Sequence, residues 1–250
     1  MCQECGCNEL VDEEIVTELD ATSLTSKTLI IDKNVLQAND SIAVQIEHFM
    51  QDRGVFCINL LGSPGSGKTS VIEQLAKYIP TSDIVVIQGD LESDIDKVRL
   101  EKIGILTYQI NTHSGCHLNA MMINRALLET KIDGKKFLII ENVGNLVCPA
   151  GVKIGQAINI VVSSVTEGSD KPKKYPYIFM DAKIILISKA DLSSMVEFDE
   201  ARYLTDLRHI NGLAKIFAVS PKDGMFQLQG LLQALLPQWE DLNACQKTLI

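Results

Sequence analysis

Apolar residues cluster in short dense runs that alternate with more polar, helix-like stretches. The runs are Val55–Leu61, Ile84–Gln88, Ile105–Ile110, Phe137–Glu141, Ile158–Ser163, Lys183–Ser188 and Lys215–Val219. Runs this short and this continuously apolar predict strands buried on both faces, which means a mostly parallel sheet. Helices are expected to start near Gly67, Asp94, Leu118, Met195 and Met225. A further helix is expected before the first strand. It would be capped at Asn39-Asp40, carry Ile42, Ala43, Ile46, Phe49 and Met50 on one face, and end at Gly54. Regular alternation of β and α predicts an α/β fold with helices on both sides of the sheet. Residues 1–38 read differently. They are rich in Thr, Ser, Asp and Glu, with one short apolar stretch at Leu29-Ile30-Ile31. The expected organisation is a tail and connector over 1–38, then a domain over 39–250.

The first strand runs into Gly62-Ser63-Pro64-Gly65-Ser66-Gly67-Lys68-Thr69-Ser70. Its spacing, Gly-x4-Gly-Lys-Thr between strand and helix, fits a phosphate-binding loop. Glycines let backbone N–H groups curl around phosphate oxygens, and the helix N-terminus adds positive potential. Lys68 is placed to reach the β- and γ-phosphates, and the Thr69 hydroxyl to ligate Mg2+.

Two other strands end in acids. Asp90 follows Gly89 at the end of the second strand, where ligands of open α/β sheets gather. It is a candidate Mg2+ ligand or water-positioning group, or a cap for the next segment. Asp94 and Asp96 share that ambiguity. Glu141 ends the fourth strand, and Gly144 follows closely. An acid and a glycine so placed can sense a γ-phosphate through Mg2+-bound water and a backbone N–H. Lys68, Asp90 and Glu141 are thus the candidate catalytic residues.

Ser188-Lys189-Ala190-Asp191 follows the sixth run and resembles the guanine motif Asn-Lys-x-Asp, with Ser in the Asn position. A carboxylate accepts from guanine N1–H and N2–H2, a donor pair adenine lacks, so Asp191 would choose the base. The Lys189 stem can lie against it. Asn in that motif also ties neighbouring loops together, a role the Ser188 departure puts in doubt. Ser220-Pro221-Lys222 resembles the last guanine-contacting loop, or is a plain turn.

Composition narrows the partners. The net charge is -9 over 250 residues, which disfavours nucleic acid. No apolar run approaches the roughly 18 residues that span a bilayer, and the start lacks the basic and apolar regions of a secretory leader. A cytoplasmic location is expected. The seven cysteines are then expected as ligands or core residues rather than disulfides.

Three cysteines crowd the first seven residues: Cys2, Cys5 and Cys7, around Gly6. Three thiols so close can close on one borderline metal. Zn2+ would favour a tetrahedral site and Ni2+ a square-planar one, and the spacing does not choose. Cys116-His117 lies between a strand and a helix, and Cys148 follows Glu141 by seven positions. Three ligands are too few for a closed structural site, but two such sets could share a metal across a two-fold axis. His113 is nearby. Cys57 is expected in the core, and His48 and His209 on helix surfaces.

Together these residues resemble the hydrogenase nickel-incorporation GTPases, the HypB family. The likeness rests on the phosphate loop, Gly89-Asp90, Gly115-Cys116-His117-Leu118, Glu141 through Ala150, Ser164-Val165-Thr166-Glu167-Gly168 and Ser188-Lys189-Ala190-Asp191. It implies a three-layer P-loop NTPase of the SIMIBI type, GTP and GDP with Mg2+ as cofactors, and Ni2+ or Zn2+ at a dimer interface on Cys116, His117 and Cys148. It also implies a HypA-type nickel chaperone and a hydrogenase large-subunit precursor as partners. The tail Cys-x-x-Cys-Gly-Cys resembles the nickel motif of some members. Histidine-rich storage tracts are lacking. The related urease GTPases carry Cys-Pro-His, whereas Cys148-Pro149 here precedes Ala150. The other reading is a guanine-nucleotide switch with only a structural zinc.

Overall fold

A computed structural model describes residues 24–90, 93–220 and 230–237, with side chains from residue 36 onward. The tail thiols Cys2, Cys5 and Cys7, the loop residue Lys222 and the helix start expected near Met225 lie outside the described residues. All seven expected strands form, each within two residues of its predicted bounds. They are β1 (Phe56–Gly62), β2 (Ile84–Asp90), β3 (Leu106–Asn111), β4 (Phe137–Glu141), β5 (Ile158–Ser164), β6 (Ala182–Ser188) and β7 (Lys215–Val219). They make one sheet in the order β3-β2-β4-β1-β5-β6-β7, and every adjacent pair is parallel.

Helices cover both faces. α2 (Lys68–Leu75), α3 (Ile95–Lys102) and the helical residues 230–237 cover one. There Ile72, Leu100 and Leu231 pack on Ile58, Val86 and Ile184. α1 (Leu24–Asp52) and α4 (Ala120–Glu129) cover part of the other face, where Ile46 and Ile123 meet Cys57 and Val85. The rest of that face carries α5 (Lys171–Lys174), α6 (Pro176–Met180) and α7 (Glu200–Ile210), with Phe179 and Leu207 against Ile185. Each such side chain, fully buried, contributes about 1.5–3 kcal/mol. Cys57 is buried, and His48 and His209 are exposed on their helices, as expected. No helix among the described residues is long and apolar enough to cross a membrane.

Two helix starts differ from expectation. α1 begins at Leu24, not at an Asn39–Asp40 cap. Asn39 instead accepts from Ala120 N at 2.9 Å and donates to Lys153 O at 2.9 Å, so its amide joins α1 to two distant segments. α7 starts at Glu200 rather than near Met195, because Asp199 accepts from Arg202 N and caps it. α4 starts near Leu118 as expected, at Ala120, capped by Asn119. The short α5 and α6 carry too little periodicity to predict.

The chain leaves β1 toward β2 on one side, while β5 to β7 continue on the other. Loops after β1, β2 and β4 therefore gather at one edge of the sheet, where such folds place ligands.

Candidate functional site

The loop after β1 has the backbone its glycines allow. Gly65 has φ 71° and Gly67 φ 98°, in the left-handed region. Gly67 sits at the N-cap of α2. A cleft of about 410 Å³ opens above the loop, lined by Gly65, Lys68, Thr69, Ser70, Asp90, Glu141 and Gly144 among others. The backbone N–H groups and helix N-terminus suit a phosphate chain there.

Lys68 is buried, and its Nζ donates to Gly62 O at 3.1 Å and Ser63 O at 3.0 Å. Burial lowers its pKa, against the pull of Glu141, Glu167, Asp96 and Asp90. Thr69 Oγ1 donates to Glu141 Oε1 at 2.8 Å, and Gln88 Nε2 donates to Glu141 Oε2 at 3.0 Å. Thr69, Glu141 and Asp90 thus offer hard oxygen donors along one cleft, which suits Mg2+.

Burial pushes the Glu141 carboxyl up to about 7 from 4.5, opposed by Lys68 and by both hydrogen bonds. Between those values the folded protein binds more protons than the unfolded chain, so this carboxyl lowers stability as pH rises. Glu141→Gln should therefore stabilise the nucleotide-free protein more at pH 8 than at pH 5. The difference should be on the order of 1–3 kcal/mol, since the shift to about 7 already includes the attraction to Lys68. Urea unfolding at the two pH values measures it, and an equal or smaller gain at pH 8 would contradict the assignment.

At the base end, Ser188 Oγ donates to Ser66 O. The serine thus ties its loop to the phosphate loop, the task that its departure from Asn put in doubt. Lys189 Nζ donates to Gly65 O at 2.8 Å, and Ser220 Oγ donates to Asp191 Oδ1 at 2.9 Å. The two loops expected to flank a guanine therefore meet.

The Cys116 and Cys148 thiols and the His117 imidazole converge, with one ligand atom from each within 4.8 Å of the others. Cys116 Sγ lies 3.6 Å from His117 Nδ1. Ligands on one tetrahedral metal, at bond lengths of about 2.0–2.3 Å, stand roughly 3.3–3.8 Å apart. The set needs little closing. Burial lowers the His117 pKa and so favours the neutral, metal-binding ring. His113 is exposed and outside the cluster.

Backbone contacts join the two sites. Asn145 N donates to Gly62 O at 3.1 Å, while Asn145 Oδ1 accepts from Val147 N at 2.7 Å and Cys148 N at 3.3 Å. A Cβ at Gly144 would lie 2.8 Å from Pro64 Cα, so the Cys148 turn packs directly on the phosphate loop.

A model of the CobW/HypB/UreG nucleotide-binding domain matches residues 56–218. The chain belongs to this family. It is similar to the hydrogenase/urease maturation factor HypB of Helicobacter pylori, with 40% identity over 80% of this chain and 84% of that one. It is also similar to the hydrogenase maturation factor HypB of Escherichia coli, with 36% identity over 88% and 74% of the two chains. Among solved structures, H. pylori HypB in complex with nickel superposes with a TM-score of 0.78 at 39% identity, covering 82% of this chain and 96% of that one. HypB from Archaeoglobus fulgidus gives 0.75 at 33% identity, covering 81% and 99%. Membership makes this chain a nucleotide-binding protein of the P-loop GTPase class.

The roles of several residues of the site escaped sequence reasoning. Glu167 Oε2 accepts from Ser63 Oγ at 2.7 Å and steadies the phosphate loop. Its signal was present: Ser164-x-x-Glu167 is a capping-box spacing, and both halves of the box form. Gln88, a polar side chain late in an apolar strand, orients Glu141. Arg99 lines the cleft and pairs with Glu73 at 2.8 Å and Asp96 at 2.7 Å. Asp94 sits at the N-cap position of α3 but makes no side-chain cap bond.

Proposed function

We propose that this protein binds GTP with Mg2+, hydrolyses it to GDP and phosphate, and uses the cycle to deliver Ni2+ during maturation of a [NiFe] hydrogenase. One observation carries the reading. A Walker-type cleft and a Cys-His-Cys cluster share one edge of the sheet and are joined by the turn from Glu141 to Cys148, in a chain related to nickel-site maturation factors. Lys68 stabilises the transferring phosphoryl group, and Thr69 and Asp90 hold Mg2+. Glu141 couples the γ-phosphate to the turn. The loop residues Gly62 through Ser70 hold the phosphates, and Ser188, Lys189, Asp191, Ser220 and Lys222 hold the base. Cys116, His117 and Cys148 bind the cargo metal, Ni2+ or Zn2+, with the matching set of a second protomer. The tail thiols Cys2, Cys5 and Cys7 form a separate site on the 1–38 segment, ahead of the 39–250 GTPase domain. A HypA-type chaperone and a hydrogenase large-subunit precursor complete the cytoplasmic pathway.

Equilibrium dialysis of Ni2+ with GDP and with a non-hydrolysable GTP analogue tests this, on the full chain and on a chain lacking residues 1–7. The expectation is two sites in the full chain, one of them nucleotide-sensitive, and loss of the insensitive site on truncation with GTP hydrolysis intact. Metal binding indifferent to nucleotide would favour a switch with structural zinc. Loss of all metal binding on truncation would refute the second site.

Asp191→Asn should weaken GTP binding by roughly 10–150-fold, since the amide oxygen accepts at most one of the two guanine donors and one hydrogen bond to a charged acceptor is lost. It should favour xanthosine triphosphate, whose C2 carbonyl accepts from the new amide. Competition among GTP, ATP and XTP measures this. Equal hydrolysis of GTP and ATP by the wild type would sink the guanine assignment.

A further inference from the structure

Three buried asparagine side chains form one hydrogen-bonded line across the sheet. Asn142 Nδ2 donates to Asn59 Oδ1 at 3.2 Å, Asn59 Nδ2 to Asn159 Oδ1 at 2.9 Å, and Asn159 Nδ2 to Asp181 Oδ2 at 2.6 Å. Asn59 is 1% exposed, Asn142 2% and Asn159 6%. Buried amides are unfavourable unless bonded, and Asn59 and Asn159 line neither the nucleotide cleft nor the metal cluster.

The Asn142 end of the line is held by two backbone N–H groups. Asn142 Oδ1 accepts from Leu118 N at 3.0 Å and from Val143 N at 3.0 Å. Leu118 directly follows His117. Its side chain also sits against the end of β2, where a Cβ at Gly89 would come within 2.8 Å of Leu118 Cγ. Asn142 directly follows Glu141, whose carboxylate takes both Thr69 and Gln88. One peptide unit thus separates the cleft's buried acid from the clamp on the Cys116–His117 loop.

The line runs one way. A carboxylate only accepts, so Asp181 forces Asn159 to present Nδ2 to it and Oδ1 to Asn59. Asn59 must then present Oδ1 to Asn142, which leaves the Asn142 carbonyl facing Leu118. A backbone N–H only donates, so the far end imposes the same direction. The amide orientations are fixed from both ends.

We propose that Asn142 is a positioning residue linking the nucleotide cleft to the Cys116–His117 pair, and that Asn59, Asn159 and Asp181 hold its amide in the one direction that makes the link. The proposal rests on the metal-binding role given above. A ligand that shifts Glu141 moves Asn142 with it, and the Leu118 N–H follows the Asn142 carbonyl. Packed elements of this kind switch between discrete arrangements rather than deform smoothly.

The test titrates Ni2+ into the full chain with GDP and with a non-hydrolysable GTP analogue, read by thiolate-to-nickel absorbance. The wild-type affinities should differ on the order of 5- to 150-fold between the nucleotides. Asn142→Asp keeps the acceptor for Leu118 but sets a carboxylate against Asn59 Oδ1, and should bring that ratio within about 2-fold of unity. Adding Asp181→Asn lets the Asn59 and Asn159 amides reverse, at the cost of the bond from Gln156 Nε2 to Asn159 Oδ1 (3.1 Å), because Ile154 N at 2.8 Å holds Gln156 Oε1 in place. The double variant should recover part of the ratio, an outcome that a merely structural role does not produce. A wild-type ratio near 1 would overturn the coupled-metal reading, and this link with it. A clear wild-type ratio that Asn142→Asp leaves intact would overturn the link alone. Loss that Asp181→Asn does not restore, or a double variant that does not fold, would overturn the one-way line.

Discussion

Replacing Lys68 with alanine is expected to lower GTP turnover by at least about 10³-fold, at the upper end for removing one preorganised charge from a transition state. The side chain is 7% exposed, and its ammonium is held by two carbonyls of the loop that would wrap the phosphates. It needs no reorganisation when negative charge develops, and the surrounding protein excludes the water that would screen it. Burial alone would favour the neutral amine, but Glu141, Glu167, Asp96 and Asp90 pull the other way. Removing the cation also leaves those acids facing incoming phosphates, so nucleotide affinity should fall as well. Single-turnover hydrolysis at saturating GTP separates the two losses. A Lys68→Ala protein that folds normally and keeps more than a tenth of wild-type turnover would refute the role.

Cys148→Ala is expected to abolish the nickel-dependent part of dimer formation while leaving the nucleotide-dependent part. Cys148 supplies one of three converging donors, and a single protomer has none to spare. Losing a direct ligand should weaken nickel binding by more than roughly 100-fold, beyond the usual effect of changing a residue that only orients a ligand. The phosphate loop should be spared, because Asn145 holds Gly62 through its backbone N–H, which the substitution does not touch. Linkage then demands reciprocity: if GTP raises nickel affinity, nickel must raise GTP affinity equally, and Cys148→Ala must remove both. Analytical ultracentrifugation with neither ligand, each alone and both together reads the result. The wild type should give most dimer with both. A monomer in all four conditions, or a dimer indifferent to both ligands, would defeat the shared-site model.

The fold was legible because each strand is short, buried on both faces and apolar throughout, so its signal survives without knowledge of its neighbours. The phosphate loop was legible for a related reason. Its function needs glycines, Lys68 and Thr69 at fixed spacing within one turn, and a local need leaves a local pattern. The Ser188–Asp191 loop could be singled out from its sequence, although only the tertiary structure shows Ser188 bonding to Ser66.

Helix starts were less legible. Asn39 has the chemistry of a cap, yet its amide satisfies Ala120 and Lys153 from the middle of a longer helix. A cap and a tertiary tie use the same side chain, and sequence cannot say which partner lies within reach.

What the sequence by itself determined was the set of elements, their burial and the chemistry each loop could carry. Tertiary structure decided which loops share that chemistry. Glu167 meets Ser63 across 104 positions, Asn59 meets Asn159 across 100, and Thr69 meets Glu141 across 72. Cys116 and Cys148 form one cluster because β2 alone separates β3 from β4, which brings the loop after β3 to the Glu141 turn. A strand's apolar pattern specifies that it is buried, not which strand lies beside it. Strand order follows from packing the whole chain, and the contacts between loops follow from strand order.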